Sequence, residues 1–155
     1  MSGSIRLVEI TEKNWTDFAA LSVDDSQKQY LASNIGIIAR GYVYRSCRAR
    51  VIGITCDGAA AGLALVRDLD EEPSCYDLQQ FMIDRHFQGK GICYQALKMI
   101  LAELEQEHKY DCVEVCVKMD DKPALHVYGK AGFTDTGYID EDVPDSYNLV
   151  FKLKS

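Results

Sequence analysis

A turn that carries two glycines, Gly89 and Gly91, lies between a predicted strand at residues 75–84 and a predicted amphipathic helix. Glycine lets the backbone approach a bound group without interference from a Cβ atom. A helix start offers unpaired N–H groups and a partial positive charge, which favour a phosphate group. Lys90, between the two glycines, adds a cation. These residues predict a site for a pyrophosphate group.

The spacing of the glycines excludes two familiar phosphate-binding motifs. A kinase-type P-loop requires G-x-x-x-x-G-K-[ST], which does not occur in the sequence. A dinucleotide fingerprint requires a third glycine, and Tyr94 occupies its place after Gly89 and Gly91. Taken alone, the two glycines leave a plain tight turn as an equal alternative.

A second block of residues, farther along the chain, has the signals of a short capped helix. Asp121 can accept a hydrogen bond as the N-cap, and Pro123 fits the first turn. Gly132 is a favourable residue just beyond a helix end. The pattern predicts a helix that runs to Ala131.

Together, the two blocks resemble motifs A and B of the GNAT acetyltransferases. Within residues 81–93, the family loop Gln/Arg-x-x-Gly-x-Gly/Ala is matched by Gln88, Gly91 and position 93. Residues 124–133 resemble the motif B helix, which ends in Tyr-x-x-x-Gly-Phe. One helix and one strand separate the blocks, as in the family, and the resemblance covers essentially the whole chain.

The resemblance implies an α/β fold with a central, twisted, mostly antiparallel sheet flanked by helices, in a single domain over residues 1–155. It implies acetyl-CoA as the cosubstrate and no metal. The strands at residues 76–84 and 112–117 are expected to splay apart, with a backbone N–H near Met82 polarising the thioester carbonyl. The implied cofactor contacts are Phe81, Met82, Ile83, Gln88, Gly89, Lys90, Gly91, Ile92, Cys93, Asp121 and Tyr128.

The resemblance also gives Tyr128 the role of the catalytic acid that protonates the leaving thiolate. The alternative is a helix tyrosine that only packs against Phe133. His126, two residues away, is expected to be exposed. The attacking amine must lose a proton to a general base, for which Asp77, Glu114 and the pair at residues 24–25 are open candidates.

Two residues depart from the family pattern. Cys93 stands where Gly or Ala is usual, and a thiol is small enough to preserve pyrophosphate binding. A thiol at a helix start can have a lowered pKa, which raises a redox hypothesis for Cys93. Asp121 stands where many relatives have Asn, so its charge is expected to weaken CoA binding while capping the helix equally well.

Within the family, the chain looks most like bacterial diamine and polyamine acetyltransferases, for example at residues 27–34 and 81–84. The net charge of −7 suits a small cationic amine substrate and disfavours nucleic acid, although acidity can also serve solubility. Ammonium groups bind carboxylates and aromatic faces. The predicted substrate contacts are Asp24, Asp25, Asp77 and Tyr76.

Two other functions stay open at this point. The same fold could acetylate another amine, such as an amino acid, an aminoglycoside or a protein amine. The departures at Cys93 and Asp121 also allow a CoA-binding sensor without turnover.

The elements that must position these residues follow the order β-α-α-β-β-β-α-β-α-β-β. Hydrophobic periodicity and turn signals define them. The predicted strands lie at residues 5–10, 51–55, 60–67, 75–84, 113–117, 133–139 and 147–153, and the helices at 15–21, 24–35, after Gly91 and up to Ala131, with residues 36–50 left as helix or loop.

The remaining sequence features limit which class of protein this chain can belong to. No secretory signal and no apolar run of about 20 residues occur, which predicts a cytoplasmic protein without a membrane segment. The six cysteines are then expected to be reduced thiols, and their spacing does not fit a metal site. The resemblance is also compatible with a homodimer.

Overall fold

A single sheet of seven strands, in the order β1-β2-β3-β4-β5-β7-β6, organises the computed structural model, which describes residues 3–154. All strand pairs are antiparallel except β4–β5, which is parallel. This mixed, mostly antiparallel sheet confirms the predicted fold class. The elements are β1 Ile5–Glu9, α1 Trp15–Ala19, α2 Asn34–Val43, β2 Arg50–Cys56, β3 Ala59–Leu69, β4 Cys75–Ile83, α3 Ile92–Glu107, β5 Cys112–Lys118, α4 Lys122–Ala131, β6 Thr134–Asp135 and β7 Ser146–Lys152, with 3-10 helices at Asp25–Tyr30, Arg45–Cys47 and Arg85–Phe87.

The two long helices fold as predicted. The apolar stripe of α3 is buried against the sheet, where each large side chain contributes roughly 1.5–3 kcal/mol. Asp121 caps α4, because its Oδ1 accepts a hydrogen bond from the Ala124 N–H at 3.3 Å. Gly132 ends that helix with a φ of 112°. Over residues 3–154, no helix has the length and apolar character needed to cross a membrane.

The hairpin of β2 and β3 also agrees with the prediction. Asp57 and Gly58 form its turn with φ values of 51° and 84°. Positive φ at both central residues is the geometry that Asp-Gly favours between antiparallel strands.

The segment before α2 differs from the predicted single helix at residues 24–35. A 3-10 helix covers Asp25–Tyr30, and α2 begins after Ser33, whose hydroxyl accepts a hydrogen bond from the Gly36 N–H at 3.0 Å. Ile35 therefore lies on the outer side of α2, 65% exposed, rather than facing inward. The helix continues to Val43, which resolves the ambiguous stretch that followed.

The strand predicted at residues 133–139 is reduced to the two residues of β6. Gly137 adopts a φ of 80°, and the Asp135 carboxylate accepts a hydrogen bond from its N–H, so the chain turns away from the sheet. The predicted strand is therefore wrong beyond the first residues of this range, because Tyr138 and Ile139 are exposed instead of covering the sheet.

A buried ion cluster, which the sequence analysis missed, clamps one end of the sheet. Asp68 lies at the end of β3 with its side chain 2% exposed. Its Oδ2 accepts hydrogen bonds from Lys109 Nζ at 2.6 Å and from Arg48 Nη1 at 3.1 Å, and Arg50 Nη1 lies 3.7 Å from Oδ1. The cluster thus joins β2 and β3 to the connection between α3 and β5.

We expect Asp68→Asn to lower the free energy of unfolding by about 2 kcal/mol, because three cations lose their shared counter-charge. Denaturant unfolding measures this change. The exposed Glu71 provides a control, since Glu71→Gln should change stability by no more than about 0.5 kcal/mol. Equal effects of the two substitutions would contradict a structural role for the cluster.

Candidate active site

The strands β4 and β5 are paired at one end and diverge at the other. Only Tyr76 with Val113 and Asp77 with Glu114 form register pairs between them. A β-bulge begins where this pairing stops, because the register with β3 shifts by one residue at Gln79. Bulges bend a strand and increase its twist. The predicted splaying of the two strands is confirmed.

The open edge of β4 presents the backbone of Phe81 and Ile83. Asp84 donates its N–H to the Ala61 carbonyl at 2.7 Å, and hydrogen-bonding direction alternates along an antiparallel strand. The N–H of Met82 therefore points toward β3, like that of Asp84. The oxyanion role predicted near Met82 cannot belong to its own N–H, and the donors that face the gap are those of Phe81 and Ile83.

A cavity of about 540 Å³ lies between the diverging strands. Its lining is mostly apolar and amide-bearing. Among the lining residues, Asp121 carries the one carboxylate and Lys118 the one amine. All of the predicted cofactor residues except Lys90 and Ile92 line it.

The two exceptions have clear positions of their own. Ile92 is buried in a core cluster, so its side chain is not available to a ligand. Lys90 is exposed, with its Nζ 5.9 Å from the centre of the Phe87 ring.

The glycines of the turn are required by backbone conformation rather than by crowding. Gly89 and Gly91 have φ values of 78° and 76°, and a Cβ atom at either would meet nothing within 4 Å. Gly91 is the N-cap residue of α3, whose first-turn N–H groups lack intrahelical partners. The turn therefore opens that helix start toward the cavity, which Gly91 lines.

Side-chain hydrogen bonds fix this turn on the end of β4. Gln88 Nε2 donates to the Ile83 carbonyl and to Gln27 Oε1, both at 2.8 Å. The Asp84 carboxylate accepts from the N–H groups of Ser22 and His86. Burial acts to raise the pKa of Asp84, but these hydrogen bonds outweigh it and lower the pKa overall.

Tyr128 both packs in the core and lines the cavity. It is 7% exposed, and its ring makes an edge-to-face contact with Phe133 at 5.2 Å between centroids. Burial, followed by the nearby Cys93 and Asp121, raises the pKa of its phenol. Tyr128 is therefore protonated at neutral pH and can act as a proton donor. His126 is exposed, as expected.

The redox hypothesis for Cys93 rested on a lowered pKa, and that expectation is wrong. Burial raises the pKa of the Cys93 thiol to about 11. At neutral pH the side chain is a neutral thiol in the cavity wall, which removes the reactive thiolate that the hypothesis required.

None of the predicted substrate residues lines the cavity. Tyr76 is fully buried in the core, which leaves its ring no surface for a substrate, and its hydroxyl accepts the Lys109 N–H at 3.3 Å. Asp77 Oδ2 is bound to Arg67 Nε at 2.8 Å. Asp24 and Asp25 are exposed, and Asp25 pairs with Lys28 at 2.8 Å. Glu114, a candidate base, also lies outside the lining.

Three segments contribute lining residues that the sequence analysis missed. They are the 3-10 helix before α2 with the residue that follows it, the end of β5, and the acidic loop with the first residue of β7, which supply Gln27, Leu31, Cys116, Lys118, Val143 and Ser146. Because β5 diverges from β4, Cys116 and Lys118 lie beside the gap. The expected splaying of the two strands could therefore have identified these two residues as part of the cavity.

Two solved structures have folds similar to that of this chain. The chain has 14% identity to a spermidine N-acetyltransferase from Vibrio cholerae, solved in complex with CoA and spermine, at a TM-score of 0.76 over 96% of this chain and 95% of that chain. It has 17% identity to an acetyltransferase from Salmonella typhimurium that modifies the N-terminal serine of ribosomal protein L7/L12, at a TM-score of 0.75 over 97% and 95% of the two chains. These similarities show the fold alone.

Sequence comparison extends the similarity over most of the chain. A spermine/spermidine N(1)-acetyltransferase of Bacillus subtilis (strain 168) is 24% identical over 143 residues, which cover 88% of this chain and 92% of the relative. Residues 7–133 match the profile of the acetyltransferase (GNAT) family. The match spans both glycine turn and capped helix, and the chain therefore belongs to the acetyltransferase (GNAT) family.

Proposed function

We propose that this acetyltransferase transfers the acetyl group of acetyl-CoA to a primary amine of a polyamine or diamine, such as spermidine or spermine. The observation that carries the proposal is the near full-length similarity to a spermine/spermidine N(1)-acetyltransferase. The acidic loop at residues 140–145 supports it, because Val143 of that loop lines the cavity. Its carboxylates attract ammonium groups toward the mouth.

The residues around the cavity fit acetyl-CoA. The start of α3 at Gly91 can bind the pyrophosphate through backbone N–H groups, without a side chain in the way. The open edge at Phe81 and Ile83 can hydrogen-bond the pantetheine arm. Cys93 and Tyr128 form the wall beyond that edge. Bound there, acetyl-CoA supplies the activated acetyl group.

Tyr128 is the proposed acid of the reaction. A direct attack of the amine forms the C–N bond as the C–S bond breaks, and the departing thiolate takes the phenol proton. Burial raises the pKa of Tyr128, so the phenol is protonated before the reaction and gives up its proton only to the negative charge that develops on the sulfur. The Phe133 ring holds the phenol in place.

One observation favours a second acceptor class. Among the described residues the lining has a single carboxylate, and the four residues predicted to bind a polycation lie outside it. A monoamine, such as an amino acid or a protein N-terminus, needs less negative charge in the cavity than a polyamine does. The alternative function is acetylation of such an amine by the same chemistry.

An acceptor screen distinguishes these functions. Purified protein with acetyl-CoA is offered spermidine, spermine, short diamines, amino acids and peptides, with thiol release and product masses as the readouts. We expect spermidine or spermine to give the highest kcat/KM. Preference for a monoamine supports the alternative. Tight acetyl-CoA binding without any product would indicate a sensor rather than an enzyme.

We expect Tyr128→Phe to lower kcat by roughly a hundredfold, because the thiolate loses its proton donor. The dissociation constant of acetyl-CoA, measured by calorimetry, should hardly change, since the ring and its packing against Phe133 are retained. A variant with wild-type kcat would remove Tyr128 from the mechanism.

The role of Gly91 can be separated from its backbone strain. Gly91→Ala should raise the dissociation constant of acetyl-CoA by about tenfold, since a distorted helix start loses roughly one hydrogen bond to the pyrophosphate. Gly58→Ala is a matched control, because Gly58 also has a positive φ and open space around it. Both substitutions should cost about 1–2 kcal/mol of stability. Equal loss of binding in both variants would exclude a specific role for Gly91.

A further inference from the structure

The proposed reaction needs a proton acceptor as well as the donor Tyr128. An alkyl ammonium group has a pKa of about 10.4, so the acceptor amine arrives protonated at neutral pH. It cannot attack a carbonyl carbon until a base removes one proton. The carboxylates proposed for this task from the sequence lie outside the cavity.

Asp121 has the position that such a base requires. It carries the one carboxylate among the described residues that line the cavity. The one lining amine, Lys118, is already paired with Asp145 at 2.8 Å. Asp121 is thus the lining group with the charge and the acceptor oxygens that an ammonium group needs.

Helix geometry places Asp121 and Tyr128 on the same side of α4. The two residues are seven positions apart, which is close to two helical turns. Oδ1 of Asp121 is held by the Ala124 N–H, and its other carboxylate oxygen makes no hydrogen bond to any residue that the structure describes. One oxygen therefore anchors the side chain and the other is available to a substrate.

We propose that the Asp121 carboxylate is the general base, which removes a proton from the acceptor ammonium directly or through one water. The inference rests on the proposed function and adds the residue that completes its acid–base pair. It also gives Asp121 a role at the acceptor in addition to the cofactor contact expected from its position in the sequence.

The charges around Asp121 are consistent with this role. Asp120 precedes it, Tyr30 faces it from the 3-10 helix, Cys93 lies on α3, Tyr128 on α4 and Lys118 on β5. Burial raises the pKa of Asp121 more than the hydrogen bond from Ala124 lowers it, and the repulsion from Asp120 adds a smaller increase. A base with a raised pKa holds an abstracted proton better than an ordinary aspartate does.

The protons of the reaction balance with these two groups. The nitrogen loses two protons between the ammonium and the amide product. The first passes to the Asp121 carboxylate and then to water. The C–N bond forms, the C–S bond breaks, and the thiolate takes the Tyr128 proton. The second proton leaves nitrogen through Asp121 to water, and water returns one proton to the Tyr128 phenolate, which restores both groups and leaves one proton released overall.

The experiment uses Asp121→Asn, because Asn caps a helix as well as Asp and has nearly the same shape. We expect kcat/KM for the best amine at pH 7 to fall by roughly a hundredfold. The affinity for acetyl-CoA should be retained or increased, since a negative charge near an anionic cofactor is removed. Asp111→Asn is the matched control and should keep activity, because Asp111 is exposed and does not line the cavity.

The pH profile distinguishes a base from a merely structural residue. In the wild type, kcat/KM should rise with pH as the Asp121 carboxyl loses its proton. In Asp121→Asn, this limb should disappear, and the rate should recover as the pH approaches the pKa of the free amine, which then needs no base. Asp121→Ser keeps a capping oxygen without a carboxylate and should behave in the same way.

Three outcomes would overturn the assignment. The first is a wild-type kcat/KM in both Asp121 variants. The second is a loss of activity that weaker acetyl-CoA binding explains. The third is a pH profile in which the rise of kcat/KM with pH survives the substitution. If the wild-type protein transfers acetyl groups to no amine at all, the proposed function fails first. Activity in the wild type with unaffected Asp121 variants overturns the assignment of the base alone.

Discussion

The architecture of this protein depends on one interruption of hydrogen bonding in the middle of its sheet. A sheet that opens between two inner strands leaves backbone groups without partners, which is unfavourable unless other contacts hold the strands. Here β4 stays paired with β3 on either side of the bulge, and β5 with β7, so each diverging strand keeps hydrogen bonds along its other edge. The Asp68 cluster and the bond from Lys109 to Tyr76 hold the closed end. The opening can therefore persist as a cavity instead of closing into an ordinary sheet.

Features that depend on neighbouring residues could be predicted from the sequence. The turn at Asp57 and Gly58, the apolar stripe of α3 and the ends of α4 are set by local backbone preferences and hydrophobic periodicity. The same holds for the glycine turn, because glycine can adopt the positive φ observed at Gly91 without a steric penalty. These elements place the part of the cavity that is lined by Gly91, Asp121 and Tyr128.

Features that depend on distant contacts could not be predicted in the same way. Whether a carboxylate faces a cavity or a counter-ion is decided by segments far away in the sequence, as for Asp77 with Arg67 and Asp68 with Lys109. The alternation of apolar residues along β4 predicts which face of the sheet carries Tyr76. It does not predict that other segments cover this face and bury the ring completely. The side of the cavity formed by Gln27, Lys118 and Val143 is likewise assembled from segments that lie far apart in the sequence.

The chemistry of Asp121 shows how folding and function can be separated at one position. Asn caps a helix as well as Asp, so the stability of α4 does not account for a carboxylate there. In a mostly apolar cavity the charge is unfavourable, as the effect of burial on the Asp121 pKa indicates. The negative charge, which adds nothing to the cap that Asn would not supply and is repelled by an anionic cofactor, needs another partner within reach. The acceptor ammonium is the group whose charge and protons match it, which ties the departure from the family pattern to the second substrate rather than to the first.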